Sequence, residues 1–212
     1  TLINDDPDHG DKMKIVSLPN YNVSLAEIII PAADVSEQIS LATKEASGTS
    51  NMKLMANGAV TMATMDGANV EIRDYVGADN IYVFGLTEEE VYRYYEKGDY
   101  SAQAIYDQDP VVRRVLNAFV DGTIPNIQRE GQEIFDSLLK YNDEFFLLKD
   151  FEPYCKVQEQ VSQDYLDQTK WRKMSLTNTA KSGIFSADYT VMKYAEDIWQ
   201  IAPVNLHKEK RN

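Results

Sequence analysis

Lys44-Glu-Ala-Ser-Gly-Thr-Ser-Asn-Met-Lys-Leu-Met-Ala-Asn-Gly-Ala-Val-Thr-Met-Ala-Thr-Met-Asp-Gly-Ala-Asn-Val-Glu-Ile72 is the stretch from which the rest of the chain can be read. A Ser47-Gly-Thr-Ser-Asn51 turn stands directly before an apolar helical run, and one lysine, Lys53, falls in that helix's first turn. Small residues at such a turn let backbone N–H groups converge on an anion, and a helix N-terminus adds partial positive charge. A lysine there can serve as a point charge or as an imine-forming amine. The pattern reads as a phosphate site in which Lys53 can hold a cofactor covalently. Gly48 to Lys53 also has part of the spacing of a nucleotide-binding P-loop, but the second glycine before the lysine is lacking, which argues against nucleotide hydrolysis. Spacing alone leaves Lys53 open between this role and that of an ordinary solvated helix lysine.

Working outward, Lys12-Met-Lys-Ile-Val-Ser-Leu18 reads as a short strand ending at Pro19. Ser24-Leu-Ala-Glu27 has the form of a capping box opening a brief helix before Pro31, and Asp34-Val-Ser-Glu37 is a second cap-like signal. Asn57-Gly58 closes the Lys53 helix; strands are predicted over 60–64 and 81–84, with a short helix over 68–75 between them. Strands alternate with helices as far as Gly85, which predicts a parallel sheet with helices on both faces. Beyond that point the pattern is nearly all helical. A capping box at Thr87-Glu-Glu-Glu90 opens a helix ending by Gly98, and further helices are predicted over 111–119, 130–140, 151–165, 168–180 and 187–201. Pro110, Pro125 and Pro153 stand near boundaries, Ser186 is placed as the last N-cap, and His207-Lys-Glu-Lys-Arg-Asn212 reads as a frayed tail. The division expected is an α/β segment over 1–86 and a helical segment of the same domain over 87–212.

The 212 residues fit one domain, or one with a helical appendage. A net charge of −13 argues against nucleic acid or an anionic membrane as partner. Cys155 is the single cysteine, so no intrachain disulfide is available, in keeping with a cytoplasmic location. No apolar run is long enough to span a bilayer, and no signal-peptide pattern opens the chain. His9 and His207 lie in the terminal segments, where neither anchors a metal site or a Ser-His triad. The four methionines Met52, Met55, Met62 and Met65 read as core filler. The start, Thr1-Leu-Ile-Asn-Asp-Asp-Pro-Asp-His9, lacks an initiator methionine and reads as a loop, which suggests a fragment.

Glu45-Ala-Ser-Gly-Thr-Ser-Asn-Met-Lys53, Asn57-Gly-Ala59 and Met65-Asp-Gly-Ala-Asn-Val-Glu71 strongly resemble the pyridoxal-phosphate segment of the glycogen, starch and maltodextrin phosphorylases. The resemblance runs upstream through Asn20-Tyr-Asn-Val-Ser-Leu-Ala-Glu27 and Ile30-Pro-Ala-Ala-Asp-Val-Ser-Glu-Gln-Ile-Ser40. Downstream it reaches Ser182-Gly-Ile-Phe-Ser-Ala-Asp188 and Tyr194-Ala-Glu-Asp-Ile-Trp199. It implies that Lys53 carries pyridoxal 5'-phosphate as a Schiff base, and that Thr49 and Ser50 contact the cofactor phosphate. By the same resemblance Tyr21, Asn22 and Val23 line the cofactor pocket, while Glu45, Ser47 and Gly48 hold the glucosyl unit. Taken without it, Thr49 and Ser50 could be plain cap residues, Tyr21 a core aromatic among 13 tyrosines, and Glu45 a surface carboxylate. Ser50 departs from the family, which usually has glycine there; serine keeps the N–H donor but restricts the backbone.

The fold implied by the resemblance is the second half of the C-terminal domain of a two-domain (GT-B) glycosyltransferase: a partial Rossmann-like parallel sheet followed by C-terminal helices. The activity implied is phosphorolysis of an α-1,4-glucan by inorganic phosphate to glucose 1-phosphate. Because it covers only the C-terminal minority of such an enzyme, the isolated chain is expected to be inactive and to need the N-terminal portion as partner. Two other readings stand beside it. One is a non-catalytic remnant or complementing fragment, whose open half-sheet would favour homo-oligomers. The other is a fragment of a nucleotide-sugar glycosyltransferase, which shares the fold but has no use for Lys53.

Overall fold

The computed structural model describes residues 4, 5, 7 and 12–202. At its centre lies β2 (Val60–Ala63), with all four residues buried. β1 (Val35–Gln38) and β3 (Tyr82–Val83) run parallel to it on either side, in the order β1-β2-β3. Val35 stands beside Val60, Gln38 beside Ala63 and Met62 beside Tyr82. A central parallel strand is covered on both faces, so Val-Thr-Met-Ala reads as a run and not as an alternation. The strand ends are tied as well: the Val60 amide donates to the Asp34 carbonyl at 3.0 Å and the Phe84 amide to the Ala63 carbonyl at 3.1 Å.

Three short helices belong to the strands: α1 (Val23–Ile29) precedes β1, α2 (Ser50–Ala56) joins β1 to β2, and α3 (Ala68–Val76) joins β2 to β3. Met55 of α2 packs with Ile72 and Val76 of α3 and with Ile81. The chain then continues through α4 (Glu88–Lys97), α5 (Ala102–Gln108), α6 (Pro110–Ala118), α7 (Gln128–Phe135), α8 (Leu147–Leu166), α9 (Gln168–Lys181) and α10 (Ala187–Lys193). Two of these return to the sheet. Val161 of α8 and Trp171 and Met174 of α9 bury Val60, Met62, Tyr82 and Phe84. Burial of a side chain the size of Met62 contributes about 1.5–3 kcal/mol. The Tyr82 hydroxyl donates to Asp164 at 2.8 Å, and Lys170 faces the same carboxylate at 2.7 Å. Burial first, then the adjacent Asp164, push the Tyr82 hydroxyl far above its ordinary pKa. A separate core joins Leu86, Val91, Tyr100, Leu116, Phe146 and Leu148 in the helical part.

The capping box of α4 has both halves: Glu90 N–H donates to Thr87 Oγ1 at 3.3 Å, and Thr87 N–H to Glu90 Oε2 at 2.9 Å. Gly98 ends that helix in a left-handed cap, and Ser186 caps α10. Three readings of the sequence need correction. The 12–18 segment forms no strand; Met13, Ile15 and Leu18 are exposed, and no described strand pairs with it. An apolar pattern makes a strand only when a neighbour accepts its backbone. Asp34-Val-Ser-Glu37 does not cap a helix but leads into β1. A cap is worth about 1 kcal/mol, and the ladder to β2 outweighs it. The first helix opens at Val23, not at Ser24, because Asn22 is its N-cap and accepts the Leu25 amide at 3.1 Å.

The prolines and small caps account for two further differences. Helix α5 was not foreseen, although Ser101 caps it by accepting the Ala104 amide at 3.1 Å. Helix α8 starts four residues earlier than the pattern suggests and continues through Pro153, which removes one interior hydrogen bond without ending the helix. His9, His207 and the 207–212 tail lie outside the described residues.

Candidate functional site

The Lys53 helix is short and is delivered by a tight turn. Gly48 sits at φ +80, where a side chain would be strained and its Cβ would come 3.0 Å from Asn51 Nδ2. Thr49 follows as the residue before α2, and its side chain makes no capping hydrogen bond. The Ser50 hydroxyl lies 3.3 Å from Gln38 Nε2, which ties the start of α2 to the end of β1. Lys53 is the last residue of the first turn and is exposed; among the described residues it has no carboxylate partner.

Lys53 looks into an open cleft of about 830 Å³ between α1 and α2. Tyr21, Asn22 and Val23 line one side of it, and Thr49, Ser50 and Lys53 the other. Ile29, Ile30, Pro31 and Leu54 supply apolar wall, and Glu27 and Asn57 add polar groups. Asn22 is there because it caps α1, which fixes the Tyr21–Val23 corner opposite the lysine.

Glu45, Ser47 and Gly48 do not line this cleft. They precede the cleft's Thr49 wall in the chain, and Glu45 and Ser47 are bonded to the turn before α3. The Glu45 amide donates to Asp66 Oδ2 at 2.8 Å, and Glu45 Oε2 accepts from Ser40 Oγ at 3.2 Å. The Ser47 carbonyl accepts from the Ala68 amide at 2.8 Å. The structure thus brings the residues expected to serve a cofactor into one cavity and sets those expected to serve a sugar beside it.

The profile of the family described as Phosphorylase: Carbohydrate phosphorylase matches residues 1–201. The chain belongs to the carbohydrate phosphorylase family. It is 50% identical to the glycogen phosphorylase of Bacillus subtilis (strain 168), over 95% of this chain and 25% of that protein. It is 45% identical to the muscle form of glycogen phosphorylase from Bos taurus and 44% identical to that from Homo sapiens, in each case over 95% of this chain and 24% of the relative. The chain therefore spans about a quarter of the length of the curated relatives it matches.

Three residues of this phosphorylase segment bear on the site without having been singled out from the sequence: Gln38, Asn51 and Asn69. Asn51 Nδ2 donates to Asn69 Oδ1 at 2.9 Å, and Asn69 Nδ2 to the Thr64 carbonyl at 3.2 Å. Asp66-Gly67 reads from the sequence as a strand-to-helix turn that the family resemblance puts near the site, with no chemistry assigned to it and no sign of its bond to the 45–49 loop. Cys155 offers no alternative chemistry. Burial first, then Glu159 and Asp109, push its thiol up, away from the thiolate a nucleophile needs. Among the described residues no helix is long and apolar enough to cross a membrane.

Proposed function

We propose that the chain is the cofactor-holding part of an α-1,4-glucan phosphorylase, with Lys53 as the covalent attachment point for pyridoxal 5'-phosphate. The observation that carries this reading is the single cleft in which Tyr21, Asn22, Val23, Thr49, Ser50 and Lys53 meet. The residues fit the group. An amine with no carboxylate partner among the described residues stands on one wall, Val23, Ile30 and Leu54 offer apolar surface to a pyridine ring, and Thr49 has a hydroxyl not spent on capping. When bound, the cofactor supplies a phosphate that can exchange a proton or hold charge beside a substrate phosphate. The chain's own residues do the rest. Lys53 Nζ anchors, the Thr49 hydroxyl and the N–H groups at the start of α2 orient the cofactor phosphate, and Tyr21 and Asn22 close the far side.

In the same reading Glu45 accepts a hydroxyl of the glucosyl unit, while Ser47 and Gly48 offer backbone N–H donors. Glu45 Oε2 already accepts from Ser40, which leaves its other oxygen for the sugar hydroxyl. The three-stranded sheet is then the second half of a Rossmann-like C-terminal domain in a two-domain glycosyltransferase fold, with 87–212 as its helical continuation. The remainder of such an enzyme supplies the acceptor site and the basic residues for inorganic phosphate. The 212-residue chain alone therefore does not turn over glucan. A glycogen-type substrate belongs to this reading through the relatives, which are named as glycogen phosphorylases, and a cytoplasmic location is in keeping with the single cysteine.

The test is to add pyridoxal phosphate to the purified chain, reduce with borohydride and locate the adduct by peptide mass spectrometry. A stoichiometric adduct at Lys53 that is absent in Lys53→Ala supports the reading. Labelling scattered over many lysines counts against a formed cradle in this chain.

A further inference from the structure

We infer that Asn51, Asn69 and Asp66 are positioning residues: they strap the 45–49 loop to the turn before α3 and so fix its place relative to Lys53. The inference rests on the cofactor reading only for what the loop serves. Asn51 and Asn69 are 1% and 3% exposed, so their amide side chains are out of water and must be satisfied internally. Asn51 Nδ2 donates to Asn69 Oδ1 at 2.9 Å. The same Asn51 Nδ2 lies 3.4 Å from the Ser47 carbonyl, and Asn69 Nδ2 holds the Thr64 carbonyl at the end of β2. Asp66 takes the other end of the loop through the Glu45 amide. Between these points Gly67 lets the two backbones touch: a Cβ there would lie 2.6 Å from the Ser47 carbonyl oxygen.

Asn51–Asn69 and Glu45–Asp66 join α2 and the loop to residues 64–69, Asn51–Ser47 and Asn69–Thr64 brace either side, and none of these residues lines the cleft. The pair on α2 and α3 therefore acts on Lys53 and Glu45 through the backbone that carries them. Removing Asn51 or Asn69 leaves a buried amide without a partner, and removing Asp66 frees the half-buried Glu45 amide. That loss corresponds to roughly tenfold or more in the equilibrium that holds the loop closed.

The experiment is amide hydrogen exchange on the chain and on Asn69→Ala and Asp66→Ala, with borohydride-trapped pyridoxal phosphate at Lys53 as the second readout. The expected result is exchange about tenfold faster at Glu45 and Ala68, with Val60 and Phe84 in the sheet still protected, and a parallel fall in adduct. Unchanged exchange at Glu45 and Ala68 overturns the inference. So does a uniform rise at all amides, which marks the pair as ordinary core. Asp66 is only half-buried, so Asp66→Ala keeps the test decisive if Asn69→Ala fails to fold. If the loop loosens while the Lys53 adduct is unchanged, the positioning role falls and the cofactor reading stands. If the unaltered chain takes no label at Lys53, the cofactor reading falls and the exchange data alone decide the strap.

Discussion

Asp150 of α8 reaches across to the sheet and holds the backbone of Leu86, its Oδ1 2.8 Å from the Leu86 amide nitrogen. The contact is close enough that Gly85 has no room for a side chain: a Cβ there would come 2.9 Å from Asp150 Oδ2. This bond joins the end of the strand region to the helical part.

It also makes stability depend on pH. Burial pushes the Asp150 carboxyl up to about 6 from an ordinary 3.8; the Leu86 amide pulls it down, and Asp143 and Glu90 push it further up. A folded-state pKa above the unfolded one means that the folded form binds the proton more readily. Asp150 therefore favours folding most below 3.8, and its contribution is lost as pH rises from there through about 6. Asp150→Asn keeps an acceptor for Leu86 and removes the charge. It should flatten that part of the profile and be stabilising by on the order of 2 kcal/mol at pH 8, measured by urea unfolding across pH.

Thr49→Val removes a hydroxyl that caps nothing. Stability should change by less than about 0.5 kcal/mol. Pyridoxal-phosphate affinity, read from trapped adduct at subsaturating cofactor, should fall roughly tenfold, as expected for one lost bond to a charged group. An unchanged affinity would remove Thr49 from the phosphate site.

Gly67→Ala meets two obstacles at once. Its backbone, at φ 52 and ψ −142, belongs to glycine, and the new methyl would press on the Ser47 carbonyl. The cost should be roughly 2–3 kcal/mol in chemical denaturation. The Lys53 adduct should fall with it.

Gly131→Ala usually helps a helix by a few tenths to about 1 kcal/mol. Here the Cβ would land on the Phe119 carbonyl oxygen, so steric cost outweighs propensity. Destabilisation of roughly 1–3 kcal/mol is expected, with thermal unfolding as the measurement. A rise in melting temperature would show that α7 can shift away from Phe119.

The sequence reads well where structure is local or fully buried. β2 was legible as an apolar run, α4 through Thr87 and Glu90, and α10 through Ser186. β1 was not, because Ser36, Glu37 and Gln38 look like a helix start until β2 is there to pair with them. The 12–18 segment is the converse, a strand pattern without a described partner. Lys53 stood out as a candidate from its turn and motif, whereas Tyr21, Asn22 and Val23 came only through family resemblance, since no periodicity links them to a helix so far along the chain. Asn51 and Asn69 escaped notice for a different reason. Buried amides bonded to each other leave no spacing to recognise.

Helix α8 lies across the sheet and clasps its far edge. Tyr154 donates to Glu37 at 3.2 Å, Gln158 bonds the same carboxylate, and Tyr165 donates to Asp34 at 3.3 Å. These partners are 117, 121 and 131 residues apart in sequence. During synthesis, which proceeds from the N-terminus, the Lys53 segment therefore emerges long before the helix that secures its first strand. Until then β1 and the cleft wall stand as an unfinished surface, and every nascent chain passes through that interval. The last side-chain partners of β1 to be made thus lie in α8, far along the chain from the cleft.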